Sequence, residues 1–298
     1  MQDPGTARDR RRAFRAAIDS GRLLSFPGAF TPLSAKLIEA KGFDGVYASG
    51  AVMSAELGLP DIGLTTLSEV ASRVREVARV TALPVLVDAD TGFGEVVNLA
   101  RTVQLLEEAG VAGLHVEDQV NPKRCGHLDG KEVVDQRTAV RRVDACVAAR
   151  RDPGLVIVAR TDIRAVEGLD ATVERAKALA DAGADMIFPE ALASLGEYEA
   201  IREAVGIPVL ANVTEFGKNE LFSARELESA GVTLAIYPVS LLRLAMGIAE
   251  VALDTLKSEG TLATLVPQMQ TRTRLYELLD YAAYNAFDTA IFNFAETR

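Results

Sequence analysis

Leu105-Leu-Glu-Glu-Ala-Gly110-Val-Ala-Gly113-Leu-His-Val-Glu117-Asp118 is the stretch on which the reading of this chain turns. An amphipathic run ends in a glycine, and a short apolar run follows that ends in two carboxylates. Glycine just past a helix relieves the left-handed cap, so the stretch predicts a helix over 96–109 passing into a strand over 113–117. The same passage recurs at Glu39-Ala-Lys-Gly42 before GVYASG, at Asp181-Ala-Gly183 before MIFPE and at Ser229-Ala-Gly231 before LAIYPV. Two more strands enter through proline, Leu83-Pro84-VLVDAD and Ile207-Pro208-VLANV, where a first strand residue tolerates the missing N–H.

Working outward, the apolar runs predict eight strands, at 23–29, 45–49, 84–89, 113–117, 155–160, 186–189, 208–212 and 234–238. They are nearly continuous in Val, Ile and Leu, as suits parallel strands covered on both faces. Helical periodicity fills the spaces between, as at Leu67–Val80, Val96–Ala109, Asp170–Ala182 and Ser240–Lys257. Eight β-α units in series predict an α/β chain closed as a (β/α)8 TIM-type barrel. An open doubly wound sheet is the alternative, and it lacks the G-x-G-x-x-G fingerprint after its first strand. The barrel with an N-terminal helix takes residues 1–260, and 261–298 form a C-terminal helical extension. There TRLYELLDYAAYNAF reads as helical, part of additional C-terminal helices, and Leu275, Tyr276, Leu278, Leu279, Tyr281, Tyr284 and Phe287 expose too much apolar surface for a free tail. It is expected to pack on a partner subunit. The basic run Arg8–Arg15 reads as a solvated helix face.

The 298 residues are 49% apolar and 25% charged, an ordinary globular balance. The 32 Lys and Arg against 42 Asp and Glu leave a net charge of −10, which offers no footprint to nucleic acid or an anionic membrane. No apolar run approaches the roughly 18 residues of a bilayer span, and the N-terminus lacks the pattern of a cleaved leader. Cys125 and Cys146 cannot build a disulfide framework, so a cytoplasmic protein is expected. With only His115 and His127, an HExxH metal site is excluded and a Ser-His-Asp triad has few places to stand. The chemistry falls to carboxylates, arginines and a thiol.

Barrel enzymes work at the C-terminal ends of their strands, and here those ends are polar: Tyr47-Ala-Ser49-Gly50, Asp88-Ala-Asp90, Glu117-Asp118, Arg160-Thr-Asp162, Glu190 and Asn212-Val-Thr214. One such ending is a solvated edge or a helix cap; six at one mouth predict a site. Asp88 and Asp90 are two apart, so on an extended strand both carboxylates face one way. With Glu117 they form an oxygen-only set that suits Mg²⁺ or Mn²⁺ held partly through water, and Asp61 is a further candidate acid. The competing reading makes Asp88 and Asp90 caps of a loop and a helix. In the loop Asn121-Pro-Lys-Arg-Cys-Gly-His-Leu-Asp-Gly130, the cations Lys123, Arg124 and His127 surround Cys125, lowering its pKa and suiting it to proton transfer. A zinc site there would lack further ligands. Cys146, in apolar helical text, reads as core, and His115 as a satisfied core or lumen histidine.

Lys123-Arg-Cys-Gly-His127, with Glu117-Asp-Gln and Asp88-Ala-Asp-Thr-Gly92 before it, resembles the isocitrate lyase and phosphoenolpyruvate mutase superfamily, over about Phe14 to Tyr281. The K-R-C-G-H form, with Asn212-Val-Thr-Glu-Phe-Gly217 and Met269-Gln-Thr-Arg272, is most similar to its 2-methylisocitrate lyase branch. The chain departs from the common S-G-G-G or S-G-A-G pattern with Ser49-Gly-Ala-Val-Met. The resemblance implies a barrel whose C-terminal helix is exchanged within a dimer, in a homo-oligomer that is a dimer of dimers. It implies Mg²⁺ on Asp88 and Asp90, and substrate contacts from Ser49, Gly50, Ala51, Cys125, Gly126, Arg160, Glu190, Asn212, Thr214, Arg243 and Arg272. The expected reaction cleaves a small tricarboxylate, 2-methylisocitrate, to pyruvate and succinate. Cys125 is the general acid, Tyr47 or a metal-linked carboxylate takes the hydroxyl proton, and His127 assists. Isocitrate cleavage and oxaloacetate hydrolysis are the alternatives. No strand end carries a lysine for a Schiff base, which argues against a class I aldolase.

Overall fold

The computed structural model describes residues 4–124, 130–217 and 220–294. Eight strands alternate with helices: β1 Leu24–Pro27, β2 Val46–Ala48, β3 Val85–Asp88, β4 Gly113–Glu117, β5 Val156–Thr161, β6 Met186–Pro189, β7 Leu210–Asn212 and β8 Leu234–Tyr237. All pairings are parallel, β2 to β6 in one ladder and β1, β8 and β7 in another. Single bridges from Gly28 to Tyr47 and from Ile187 to Val209 join the two ladders into a ring. This is the expected α/β barrel, and the bounds of each strand fall within two residues of its predicted run. The capping glycines Gly42, Gly110, Gly183 and Gly231 have φ between +77° and +94°, the conformation that makes glycine the residue of choice there.

Phe26, Leu86, Val158, Met186, Phe188, Leu210 and Ile236 fill the lumen. Between strands and helices lie two further apolar layers, one around Val74, Leu99, Leu106 and Ile157, the other around Leu179, Ile201 and Val209. Cys146 belongs to the first of these, as expected of a core cysteine, and burial pushes its thiol up to about 12.

Helix Ala7–Ile18 closes the N-terminal end of the barrel and corrects one expectation. Arg8 and Arg12 are exposed, but Arg10 and Arg11 are each only 6% exposed. Arg11 donates to the carbonyls of Val111 (2.9 Å) and Glu107 (2.6 Å) and pairs with Asp152 at 3.0 Å. Arg15 pairs with Asp185 at 2.7 Å and donates to the Leu155 carbonyl at 2.9 Å. Carbonyls emerge without partners where helices end and strands begin, and a guanidinium with five donors satisfies several at once. Phe14 from the same helix seals the lumen floor against Phe26, ring centroids 5.2 Å apart.

After β8 the chain leaves the barrel. Helix Ser240–Glu259 buries none of its residues, and Leu244, Met246 and Leu253 are 60–70% exposed. The tail is helical, as expected, and Asp280, at φ +55°, divides it into Arg272–Leu278 and Tyr281–Phe294. Leu278 is the one buried residue among the tail's described residues. Among the described residues no helix is long and apolar enough to cross a membrane.

Candidate active site

The strand ends deliver their polar side chains to one cavity. Tyr47, Ser49, Ala51, Asp61, Asp88, Arg160, Glu190, Asn212, Thr214 and Arg243 line it together with Lys123. Gly50 contributes its backbone, donating N–H to Asp88 Oδ2 at 3.2 Å. Arg272 does not join them. It starts the helix whose Leu278 end rests beside helix Pro32–Ala40, and it is exposed. Cys125, Gly126 and His127 lie outside the described residues.

Asp88 and Asp90 converge, but not through the strand pleat. β3 ends at Asp88, the chain turns, and Asp90 takes a left-handed φ of +46°. Its N–H donates to Asp88 Oδ1 at 3.0 Å, so the first carboxylate shapes the turn that brings the second beside it. Both sit over Gly50, where a Cβ would lie 2.7 Å from Asp88 Oδ2 and 3.3 Å from Asp90 Oδ1. A side chain at 50 would push them apart, which is why glycine follows Ser49. Burial and the Asp88 charge raise the Asp90 carboxyl to about 6. Burial acts on Asp88 in the same sense, but His115, Lys123 and Arg160 outweigh it and hold Asp88 below the usual carboxylate range.

Lys123 is the residue that sequence reasoning undervalued. Its ammonium is buried, pairs with Asp61, and lies 2.8 Å from Asp90 Oδ1. Burial would lower its pKa, yet Asp90, Asp88, Glu117 and Asp61 raise it. The sequence signal is the lysine two residues before Cys125, which by its position alone reads as a source of positive potential for the thiol. His115 also corrects an expectation: it lies in the lumen, but its buried Nδ1 has no hydrogen-bond partner. Its Nε2 is 2.8 Å from the Tyr47 hydroxyl and 3.7 Å from Asp88 Oδ1. Burial lowers the imidazole to about 4 despite Asp88. Burial, then Asp88, raise the Tyr47 phenol well above its ordinary value, which makes it a reluctant proton acceptor beside the alternative, a carboxylate of the cluster.

Arg160 is buried at the centre of the mouth. Its Nε donates to Asp162 Oδ2 at 2.9 Å and lies 3.2 Å from Glu117 Oε2, while Nη2 lies 3.4 Å from Glu190 Oε2. Its guanidinium carbon stands 5.1 Å from the Phe188 ring centroid. Asn212 Nδ2 donates to Glu190 Oε2 at 3.2 Å, tying the ends of β6 and β7. Burial raises the Glu117 carboxyl strongly, and its Oε1 is buried without a partner. On the other wall Arg243 donates to Thr214 Oγ1 at 3.1 Å and to the Glu215 carbonyl at 2.6 Å. The cavity is a ring of acids with Lys123, Arg160 and Arg243 set among them, able to orient an anion with several carboxylates.

Among the described residues no three His, Cys, Asp or Glu side chains form a metal cage. Mg²⁺ does not ask for one, because it keeps several waters and binds through one or two carboxylates plus substrate oxygens. Two converging hard-oxygen donors, Asp88 and Asp90, and the partnerless Glu117 Oε1 nearby fit such an ion.

A family model described as phosphoenolpyruvate phosphomutase matches residues 14–257. The chain is 60% identical over 287 residues to "Probable 2-methylisocitrate lyase 2" of Corynebacterium glutamicum, covering 96% of this chain and 94% of that one. It is similar to the crystal structure of 2,3-dimethylmalate lyase, a PEP mutase/isocitrate lyase superfamily member, with TM-score 0.88, 32% identity and 96% of both chains covered. It is also similar to phosphonopyruvate hydrolase complexed with oxalate and Mg²⁺, with TM-score 0.85, 28% identity, and 96% and 99% of the two chains covered.

Proposed function

This chain belongs to the phosphoenolpyruvate phosphomutase family, and from that premise we propose that it is a carbon–carbon lyase cleaving 2-methylisocitrate to pyruvate and succinate. The observation that carries the reading is the cavity itself: Arg160, Arg243 and Lys123 beside the paired acids Asp88 and Asp90. That arrangement suits a substrate with several carboxylates and a hydroxyl to be ionised. The 60% identity to a relative so named supports the choice of substrate.

Mg²⁺ on Asp88 and Asp90 would supply Lewis acidity toward the substrate hydroxyl and its neighbouring carboxylate. Arg160 and Arg243 hold the remaining carboxylates, and Asn212 and Glu190 keep Arg160 in place from the adjoining strands. The hydroxyl proton passes to a carboxylate of the cluster, since the Tyr47 phenol is already protonated and serves as a hydrogen-bond donor. The C–C bond breaks, the hydroxyl carbon becomes the pyruvate carbonyl, and the electron pair stays on the succinate carbon. There it is delocalised into a carboxylate faced by fixed cations. Cys125 gives its S–H proton to that carbon and remains on the chain as the thiolate, to be reprotonated before the next turnover. Release of pyruvate from 2-methylisocitrate, abolished by EDTA, tests the reading; equal or faster cleavage of isocitrate would overturn it. Cys125→Ser is expected to lose turnover while Mg²⁺ binding remains.

The exposed apolar faces of Ser240–Glu259 and Tyr281–Phe294, with Leu244, Leu253, Phe287 and Ile291 56–70% exposed, support a homo-oligomer in which a second copy covers them. Sedimentation as a monomer at micromolar concentration would refute it.

A further inference from the structure

Arg160 has a neighbour that neither the sequence motif nor the cavity lining includes. Lys131 is buried, and its Nζ lies 2.9 Å from Asp162 Oδ1. The same oxygen accepts Arg160 Nη2 at 3.2 Å, and Asp162 Oδ2 accepts Arg160 Nε at 2.9 Å. Asp162 therefore sits between two cations and divides its charge between them. Its backbone N–H donates to Asp118 Oδ1 at 2.9 Å, which fixes the main chain from which the carboxylate projects. Asp118 is itself held by Thr161 Oγ1 at 2.6 Å and Arg175 Nη1 at 2.7 Å. Around Arg160 stand Asp162, Glu117 and Glu190, three carboxylates against one guanidinium. Three acids crowd one guanidinium, so a cation that takes up part of the Asp162 charge weakens their hold on it.

We propose that Lys131 is a positioning residue for substrate binding: by sharing Asp162 it leaves part of the Arg160 charge facing the cavity, where a substrate carboxylate meets it. The proposal rests on the reading that Arg160 receives a carboxylate. Burial works against ionisation of Asp162, but Arg160 and Lys131 together hold its carboxyl below the usual range. Removing the lysine shifts the net charge of the cluster by one unit toward negative and leaves Asp162 to Arg160 alone. Arg160 is then drawn to a buried anion instead of to substrate, and binding weakens more than chemistry.

The test is Lys131→Met, with Lys131→Gln as a second neutral variant should the first not fold and Lys131→Arg as the charge-preserving control. Steady-state cleavage of 2-methylisocitrate and calorimetric titration of succinate are measured on each. Loss of a charged, buried hydrogen bond is expected to raise KM and weaken succinate binding by about tenfold or more. The turnover number should fall by less than KM rises, and Lys131→Arg should recover most of the loss. The proposal is overturned if the neutral variants lose only thermal stability, if turnover falls with KM and succinate affinity unchanged, or if Lys131→Arg is as poor as Lys131→Met. If the wild-type chain does not cleave 2-methylisocitrate, the functional reading fails, and the contrast in succinate affinity still decides the role of Lys131.

Discussion

The two ends of the barrel use the same residue types for opposite ends. At the bottom, Arg11, Arg15 and Arg150 are spent on backbone carbonyls and on Asp152 and Asp185, with donors and acceptors matched at 2.6–3.0 Å for the closest contacts. At the top, Arg160 faces three carboxylates, Asp88 and Asp90 are crowded over Gly50, and Glu117 Oε1 and His115 Nδ1 have no partner. Buried charge alone thus says little about function. What separates the ends is concentration: on helix Ala7–Ile18 the Nε of Arg10 is buried without a partner, but Arg11 and Arg15 there are matched, whereas at the top crowded carboxylates and orphaned atoms gather around one cavity, where a ligand can complete them.

The sharpest way to break this comparison is Asp88→Asn. Turnover should fall by at least about a hundredfold, while the thermal midpoint falls only modestly, because the neighbours that favour the Asp88 charge are partly offset by relief of its like-charge contact with Asp90; outright unfolding would mean the top is structural after all. Arg11→Met is the converse. Breaking a buried, paired charge should cost about 3 kcal/mol in urea denaturation, with kcat/KM of the folded protein unchanged; a matching loss of activity would erase the distinction.

A pH series refines the top end. The folded-state pKa of Asp90, about 6, lies above its ordinary value of 3.8, so the protonated form is favoured by folding. Its contribution to stability is fully present below about 3.8 and is lost as pH rises through 6. In EDTA, Asp90→Asn should therefore raise the thermal midpoint at pH 8 and leave it nearly unchanged at pH 3.5; a gain independent of pH would remove the charge argument. The smallest effect is expected at Arg12→Ala. That residue lies on the bottom helix but is exposed, and its loss should change stability by no more than about 0.5 kcal/mol.

Much of this was legible beforehand. The glycine cassettes and the apolar runs marked all eight strands because both are local: a capping glycine and a doubly covered strand state their requirements within a few residues. The polar strand ends pointed to Asp88, Arg160, Glu190, Asn212 and Thr214, which do share one cavity. Lys123, Lys131 and His115 were missed in their roles because each acts through a partner distant in sequence: Asp61 for Lys123, Asp162 for Lys131 and Tyr47 for His115. Arg11 looked solvated for the same reason, since its carbonyl acceptors, Val111 and Glu107, lie about 100 residues along the chain, while Arg10 divides its donors between the nearby Pro4 and Gly5 carbonyls and the remote Gly110 carbonyl.

By itself, then, the sequence determined the alternation, the strand boundaries, the closed α/β barrel and the end at which polar chemistry collects, because periodicity and caps are properties of neighbouring residues. Only the tertiary structure decided which charges are satisfied. It made a turn, not a pleat, bring Asp90 to Asp88, pushed the Tyr47 phenol further from ionisation, exposed Arg272 and put Lys131 behind Arg160. The physical reason is that a charge takes its meaning from the dielectric and the partners around it, and these exist only once remote strands have closed into a ring.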